Sequence, residues 1–156
     1  MHISTKCSVA IHCLIFIHEY GDKTKVTSEL LSRSTGINPV TIRNILSSLK
    51  KDGILSVKLG TGGATLDCPL KEVSLYRVCM ALEPDFLSRL IGVHPTPSEL
   101  CPVGRNIHSV LDCSYEKIKD DLKNSLEGIT LENVVSDYHS FQPEACLPAA
   151  GTTDIG

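Results

Sequence analysis

The stretch Asn38-Pro39-Val40-Thr41-Ile42-Arg43-Asn44-Ile45-Leu46-Ser47-Ser48-Leu49-Lys50-Lys51-Asp52-Gly53 holds the clearest structural signals in the chain. Asn38 suits a helix N-cap, Pro39 the first helical position, and Gly53 the residue just past the last turn. Between them Ile42, Ile45, Leu46 and Leu49 recur at i, i+3, i+4 and i+7, the spacing of one core-facing stripe. The opposite face presents Thr41, Arg43, Asn44, Ser47, Ser48, Lys50 and Lys51, and no acid before Asp52. A major groove about 12 Å wide admits one such helix, and Asn or Arg can make bidentate contacts there to adenine or guanine edges.

Working outward, residues 4–20 are expected to form a helix with Ser4 or Thr5 as cap and Val9, Cys13, Phe16 and Ile17 turned inward; Gly21 ends it. A short helix follows over 27–34, capped by Thr27 or Ser28, and Thr35-Gly36-Ile37 makes a tight turn into the central helix. Downstream, residues 54–59 and 64–67 are expected as two strands joined by Gly60-Thr61-Gly62-Gly63. Two helices, a tight turn and a β-hairpin make a winged helix-turn-helix. Pro69 stops the second strand, and Ser74 caps a helix through Leu82 with Leu75, Val78, Cys79 and Leu82 inward. Three prolines within 92–102 mark a loop.

From Val103 to Glu127 a long amphipathic helix carries Ile107, Leu111, Tyr115, Ile118, Leu122 and Leu126 in one continuous stripe. About 25 helical residues extend roughly 37 Å, too far for so small a domain to cover from one side. The simplest partner is the same helix from a second copy, with Ile107, Leu111, Tyr115, Ile118 and Leu122 as the interface. A capped final helix begins near Thr130-Leu131. The fold class is therefore mainly α with a small β-hairpin wing. Residues 1–83 form the winged domain, 84–102 a linker loop, 103–138 the dimerisation and final helices, and 139–156 a disordered tail.

The 156 residues are 42% hydrophobic and 21% charged, ordinary for a globular protein and too few for a large multidomain enzyme. The net charge of −3 hides a division: residues 1–63 carry 8 Lys and Arg against 4 acids, and residues 64–156 carry 7 against 14. The first half can face a polyanion. The opening lacks the apolar core of a secretion signal and no run suits a membrane span, so a cytoplasmic protein is expected. Seven cysteines with no C-x2-C pair look neither like a disulfide framework nor like a zinc site. The six histidines are scattered, and no metal site is expected from them. No phosphate loop, HExxH or serine elbow is present, so no catalytic residue is assigned.

Several segments together resemble the Rrf2 family of bacterial transcriptional regulators: Met1-x-Ile3-Ser4-Thr5-Lys6, Ile37-Asn38-Pro39, Leu49-Lys50-Lys51-x-Gly53-Ile54-Leu55, Gly60-Thr61-Gly62-Gly63, Glu72-Val73-Ser74-Leu75 and Leu126-x-x-Ile129-Thr130-Leu131. The resemblance covers about residues 1–138. It implies a homodimer that binds palindromic double-stranded operators, by default as a repressor. Carried over by position, Thr41, Arg43 and Asn44 read bases with Asn38 at the helix start. Lys6, Thr27, Ser28, Lys50, Lys51 and Lys58 touch phosphate, and Ser47 and Thr61 complete the DNA-binding set.

The best-known members of that family bind an iron–sulfur cluster through C-x5-C-x5-C before the long helix. Here Cys101 and Cys113 stand twelve apart with Ile107 at the middle position, so no cluster is expected. The alternative, an iron–sulfur or metal-sensing regulator of the same fold, would use those two thiolates with His108. The run Leu100-Cys101-Pro102-Val103-Gly104-Arg105-Asn106-Ile107 looks like the branch of the family that keeps a single cysteine. At a helix N-terminus beside Arg105, the Cys101 thiolate is favoured, which makes Cys101 the sensor candidate for oxidation or electrophiles. Cys7, Cys13, Cys79 and Cys113 are expected in the core, and Cys68 and Cys146 are unassigned. Two other readings remain: a thiol-dependent enzyme using Cys101, and an interaction module without DNA affinity, which the basic surface over 41–51 argues against.

Overall fold

The computed structural model describes residues 4–58, 60 and 62–141. Helix α1 (Thr5–Tyr20) is capped by the Ser4 hydroxyl, which accepts from the Lys6 N–H at 3.3 Å. Thr27, of the two expected candidates, caps α2 (Ser28–Thr35) by accepting from the Leu30 N–H. That leaves the Ser28 hydroxyl available to side chains. Gly36 closes α2 in the left-handed conformation at φ 71°, a position that favours glycine. Its N–H reaches the Ser32 carbonyl, and the chain turns at once into α3 (Pro39–Lys51). The Asn38 side-chain oxygen caps α3 from 2.7 Å, with Pro39 as expected in the first turn.

The hairpin pairs β1 (Leu55–Lys58) with β2 (Gly63–Leu66) antiparallel, Leu55 opposite Leu66 and Lys58 opposite Gly63. The first strand begins one residue later than expected and the second ends one residue earlier, and Gly63 is a ladder residue, not part of the turn. A Cβ on Gly63 would stand 2.8 Å from the Val26 carbonyl oxygen, and its φ is +75°. The reason for that close approach is adjacent, since the Ala64 N–H donates to the same carbonyl at 2.9 Å and ties the wing to the strand-like entry of α2.

After α4 (Leu75–Leu82), capped by Ser74, residues 83–101 carry no helix or strand. The long helix α5 (Pro102–Gly128) and the final helix α6 (Leu131–Phe141) follow. Helix α6 thus extends three residues into the stretch expected as a tail; positions 142–156 lie outside the described residues. It packs back on the winged part: the Leu131 N–H donates to the Val73 carbonyl at 2.7 Å, and His139 meets Glu19 at 2.6 Å.

One core gathers Ala10, Cys13, Leu14, Phe16 and Ile17 of α1, Leu31, the whole α3 stripe, Ile54, Leu55, Val73, Val78, and Leu131 and Val135 of α6. A second, smaller cluster of Cys7, Cys79, Phe86 and Leu126 joins α1, α4 and the last third of α5. Leu126 is the one buried residue of α5. Val103, Val110 and Ile118 are exposed, while Ile107, Leu111, Tyr115 and Leu122 are half-buried. Among the described residues no polar or charged side chain is buried, so the interior makes no demand for internal ion pairs.

Candidate nucleic-acid interface

Gly36 swings α3 across α2, and the buried stripe of α3 turns its polar side to solvent. There Asn38, Arg43, Asn44, Ser47, Lys50 and Lys51 are exposed and Thr41 and Ser48 half-buried. The wing lies alongside with Lys58 exposed. Between α2, α3 and the wing runs an open groove of about 390 Å³, whose walls carry Lys25, Arg43, Lys50 and Lys58. Four cations around one groove raise the local concentration of a polyanion.

Two charged wall residues were not expected. Lys25, which precedes the α2 cap, donates through Nζ to the Gly60 carbonyl and so bridges the α2 entry to the wing. Its signal was only a share of the basic count in the first 63 residues. The other is Glu29. Helix α3 itself is acid-free before Asp52, as its sequence shows, but the fold brings an acid from α2 to its polar face. Arg43 Nη2 lies 3.1 Å from Glu29 Oε1, Arg43 Nε donates to Ser28 Oγ at 3.3 Å, and Ser28 Oγ donates to Glu29 Oε2 at 3.0 Å. The backbone N–H at the start of α2, and then Arg43 and Ser28, hold the Glu29 carboxyl below the usual carboxylate range. It stays ionised.

The remaining expected DNA-binding positions are spread around this groove. Thr27, Ser28 and Ser47 line it. Lys6 does not; it lies 3.8 Å from Glu83, beside the end of α4. The Asn38 side-chain oxygen is committed to the cap, which leaves its NH2 group as a donor only. Asn44 makes no side-chain hydrogen bond among the described residues and keeps both halves of its amide for a bidentate contact. Thr61 lies outside the described residues.

The exit of α3 is clamped from behind. Arg77 of α4 donates through Nε to Asp52 Oδ2 at 2.7 Å and through Nη2 to the Asp52 carbonyl at 2.8 Å, and its Nη1 reaches Cys68 Sγ at 3.7 Å. The fork pairs the acid at the end of α3 with a cation, and neither residue lines the groove.

Cys7, Cys13 and Cys79 are buried as expected. Burial pushes the Cys13 thiol up to about 12. The Cys79 thiol beside Cys7, together with burial, pushes Cys7 up as well. Cys113, expected in the core, is exposed, because the middle of α5 has no second layer over it in this chain. Cys68 is half-buried, and Cys146 lies outside the described residues. Cys101 stands exposed at the N-cap of α5. Its thiol is held below the ordinary value by the N–H groups of Gly104 and Val103. The helix terminus supplies this effect and Arg105 does not, and since the sulfur forms no cap hydrogen bond, it is an effect of nearby N–H dipoles.

The six described cysteines are spread over several parts of the fold. Cys101 and Cys113 begin and occupy the same straight helix, and twelve residues of helix separate them by about 18 Å along its axis. His108 meets the His94 carbonyl at 2.8 Å. Among the described residues no three His, Cys, Asp or Glu side chains converge as metal ligands. No described helix is long and apolar enough to cross a membrane.

Comparison with known proteins agrees with this architecture. Residues 3–137 match the family model of Rrf2, described as an iron-dependent transcriptional regulator. The chain is 34% identical over 134 residues to YwnA of Bacillus subtilis (strain 168), provisionally named an HTH-type transcriptional regulator, covering 86% of this chain and 97% of that protein. A solved structure described provisionally as a DNA-binding protein is 31% identical, with a TM-score of 0.65 over 83% of this chain and 97% of its own. Another, described provisionally as a transcriptional regulator from Lactobacillus plantarum, is 28% identical with a TM-score of 0.73, over 88% and 91%. Among the described residues no donor set for the iron in the family's description is brought together. With its two-stranded wing, capped helix pair and long following helix, the chain belongs to the Rrf2 family of transcriptional regulators.

Proposed function

We propose that the protein is a homodimeric, sequence-specific DNA-binding regulator, acting as a repressor, that sets two copies of α3 into successive major grooves of a palindromic operator. The observation that carries this reading is the polar, acid-free face of a helix whose other face is locked into the core, flanked by a cationic wing. Thr41, Arg43 and Asn44 read base edges and Asn38 contributes its NH2 group. Ser47 joins them on the groove floor. Lys6, Thr27, Ser28, Lys50, Lys51 and Lys58 contact phosphates, and Thr61 belongs to the same DNA-binding set. In this division residues 1–83 bind DNA, 84–102 link, and the helix from 103 onward joins the two copies.

The dimer reading rests on α5. Its 27 residues span about 40 Å, yet within the chain only Leu126, in its last turn, is buried. Ile107, Leu111, Tyr115, Ile118 and Leu122 leave a continuous apolar stripe that a second copy would cover. Cys101 at the head of that helix is the sensor: its thiolate attacks one oxygen of hydrogen peroxide, the O–O bond breaks to leave a sulfenic acid and hydroxide, and the hydroxide takes a proton from solvent; alternatively the thiolate adds to an electrophile. Added bulk or charge there changes how far apart the two recognition helices sit.

Selection from a randomised duplex pool at physiological salt tests the function. An enriched motif with two half-sites one helical turn apart, or a multiple, is expected. Arg43→Ala then costs roughly 1–3 kcal/mol and relaxes one base position, while Lys50→Ala weakens all sequences alike and flattens the salt dependence. Selection without any enriched motif would overturn the reading.

A further inference from the structure

We propose that Glu29 is a specificity-determining positioning residue: it orients the Arg43 guanidinium to read a guanine edge and discourages Arg43 from serving as a sequence-blind phosphate anchor. The proposal rests on the DNA-binding reading above. Its starting point is a carboxylate where a phosphate-facing surface has no use for one. Side chains of the pair are 56% and 59% exposed, so the ion pair contributes little to folding. Its effect lies in geometry.

Arg43, Ser28 and Glu29 close a ring of three hydrogen bonds: Arg43 Nε to Ser28 Oγ, Ser28 Oγ to Glu29 Oε2, and Arg43 Nη2 to Glu29 Oε1. A guanidinium has five N–H donors in one plane. The ring takes the Nε donor and one Nη2 donor, both on the edge turned toward α2. That fixes the plane of the fork and leaves the opposite edge, one N–H on Nη2 and one on Nη1, unused. Two parallel donors on one edge are what guanine O6 and N7 accept in the major groove. A freely rotating arginine would reach a phosphate as readily. Here a phosphate approaching the fork also meets the ionised Glu29 at hydrogen-bond distance from the same group, a like-charge encounter that a neutral base edge avoids.

Helix α2 is well placed for this role. Thr27 and not Ser28 caps it, so the Ser28 hydroxyl is available to complete the ring. The Gly36 turn then sets α3 at the distance that lets the pair close.

The test compares wild type, E29Q, S28A and R43K by randomised-duplex selection and by binding to the selected operator and a scrambled duplex across salt concentration. E29Q should lose on the order of tenfold in discrimination at one base pair per half-site. It should also bind the scrambled duplex more tightly, with a salt slope steeper by about one. S28A keeps the charge and loosens the ring, so it should lose part of the same base preference with the salt slope unchanged. R43K keeps a cation without the fork and should lose that preference as E29Q does, which fixes Arg43 as the reader; if E29Q folds poorly, S28A carries the test of the ring, and an unchanged base preference in S28A overturns it. A wild-type motif that survives in E29Q and R43K overturns this inference alone, as does an equal shift of E29Q on operator and scrambled duplex. A wild-type chain that selects no motif overturns the DNA-binding reading and this inference with it.

Discussion

Helices α3 and α5 are both amphipathic, yet they end in opposite states. Every member of the α3 stripe is at most 5% exposed, whereas on α5 Val110 is 63% and Ile118 47% exposed and only Leu126 is buried. The first stripe meets α1, α4 and the wing within its own chain; the second meets α4 only near its end. Charge divides in the same sense, with the basic excess in residues 1–63 and the acidic excess beyond. Equal periodicity therefore carries different meanings: on a helix of ordinary length it closes a core, and on one of 27 residues it leaves a surface to be covered.

The sharpest way to break this contrast is a charge in the open stripe. Ile118→Glu places an unpaired ion in each half of the proposed α5 seam, costing several kcal/mol per site. It should leave the variant monomeric by sedimentation at micromolar concentration, where the wild type is expected to be a dimer, while far-ultraviolet circular dichroism stays unchanged. A variant that remains dimeric would remove the seam from this face.

Truncating the closed stripe should do the reverse. Leu49 is fully buried, and Leu49→Ala should cost about 2–5 kcal/mol in denaturant unfolding through lost burial and the cavity left behind. The loss should be the same whatever the protein concentration, in contrast to Ile118→Glu. Concentration-dependent destabilisation by Leu49→Ala would show that the winged core is not self-sufficient.

The smallest effect concerns the thiols, which sharpen the comparison by chemistry. Cys101 is exposed with a lowered pKa, Cys113 is exposed, and Cys13 is buried and pushed up to about 12. Since a lowered pKa enlarges the thiolate fraction at pH 7, iodoacetamide followed by mass spectrometry should label Cys101 first, then Cys113, and leave Cys7, Cys13 and Cys79 unlabelled until unfolding. As pH falls, the rate at Cys101 should drop at a lower pH than that of an ordinary thiol. Coverage of Cys113 by a second copy would slow its labelling, and Ile118→Glu would restore it. Labelling of Cys113 ahead of Cys101 would remove the helix-terminus effect from the sensor argument.

Much of the winged part was legible because its signals are local. Ser4, Thr27, Asn38 and Ser74 each cap the helix that follows within three residues, and the stripe of α3 repeats within two turns. The candidate site was legible only on one side. That Arg43 and Asn44 face outward follows from the burial of Ile42, Ile45, Leu46 and Leu49. That Arg43 is held by Glu29, 14 residues away, does not, since it depends on how tightly Gly36 folds α2 against α3. Cys113 was misplaced for a related reason: helical position tells which way a side chain points along a stripe or off it, not whether another layer exists to cover it.

Sequence alone determined where the helices of the winged part begin to within a residue, which face of α3 is apolar, and that a glycine-rich hairpin follows it. Those properties depend on caps, turn residues and spacing within a few positions, where backbone hydrogen bonds are made between near neighbours. Only the tertiary structure decided that Lys25 reaches the wing at Gly60, that Arg77 neutralises Asp52 behind α3, that α6 returns to the first core through Leu131, and that an acid from α2 meets the proposed reading arginine. Each of these joins groups distant in the chain, and such contacts exist only after packed apolar faces have set the helices at fixed distances and angles, which no local pattern encodes.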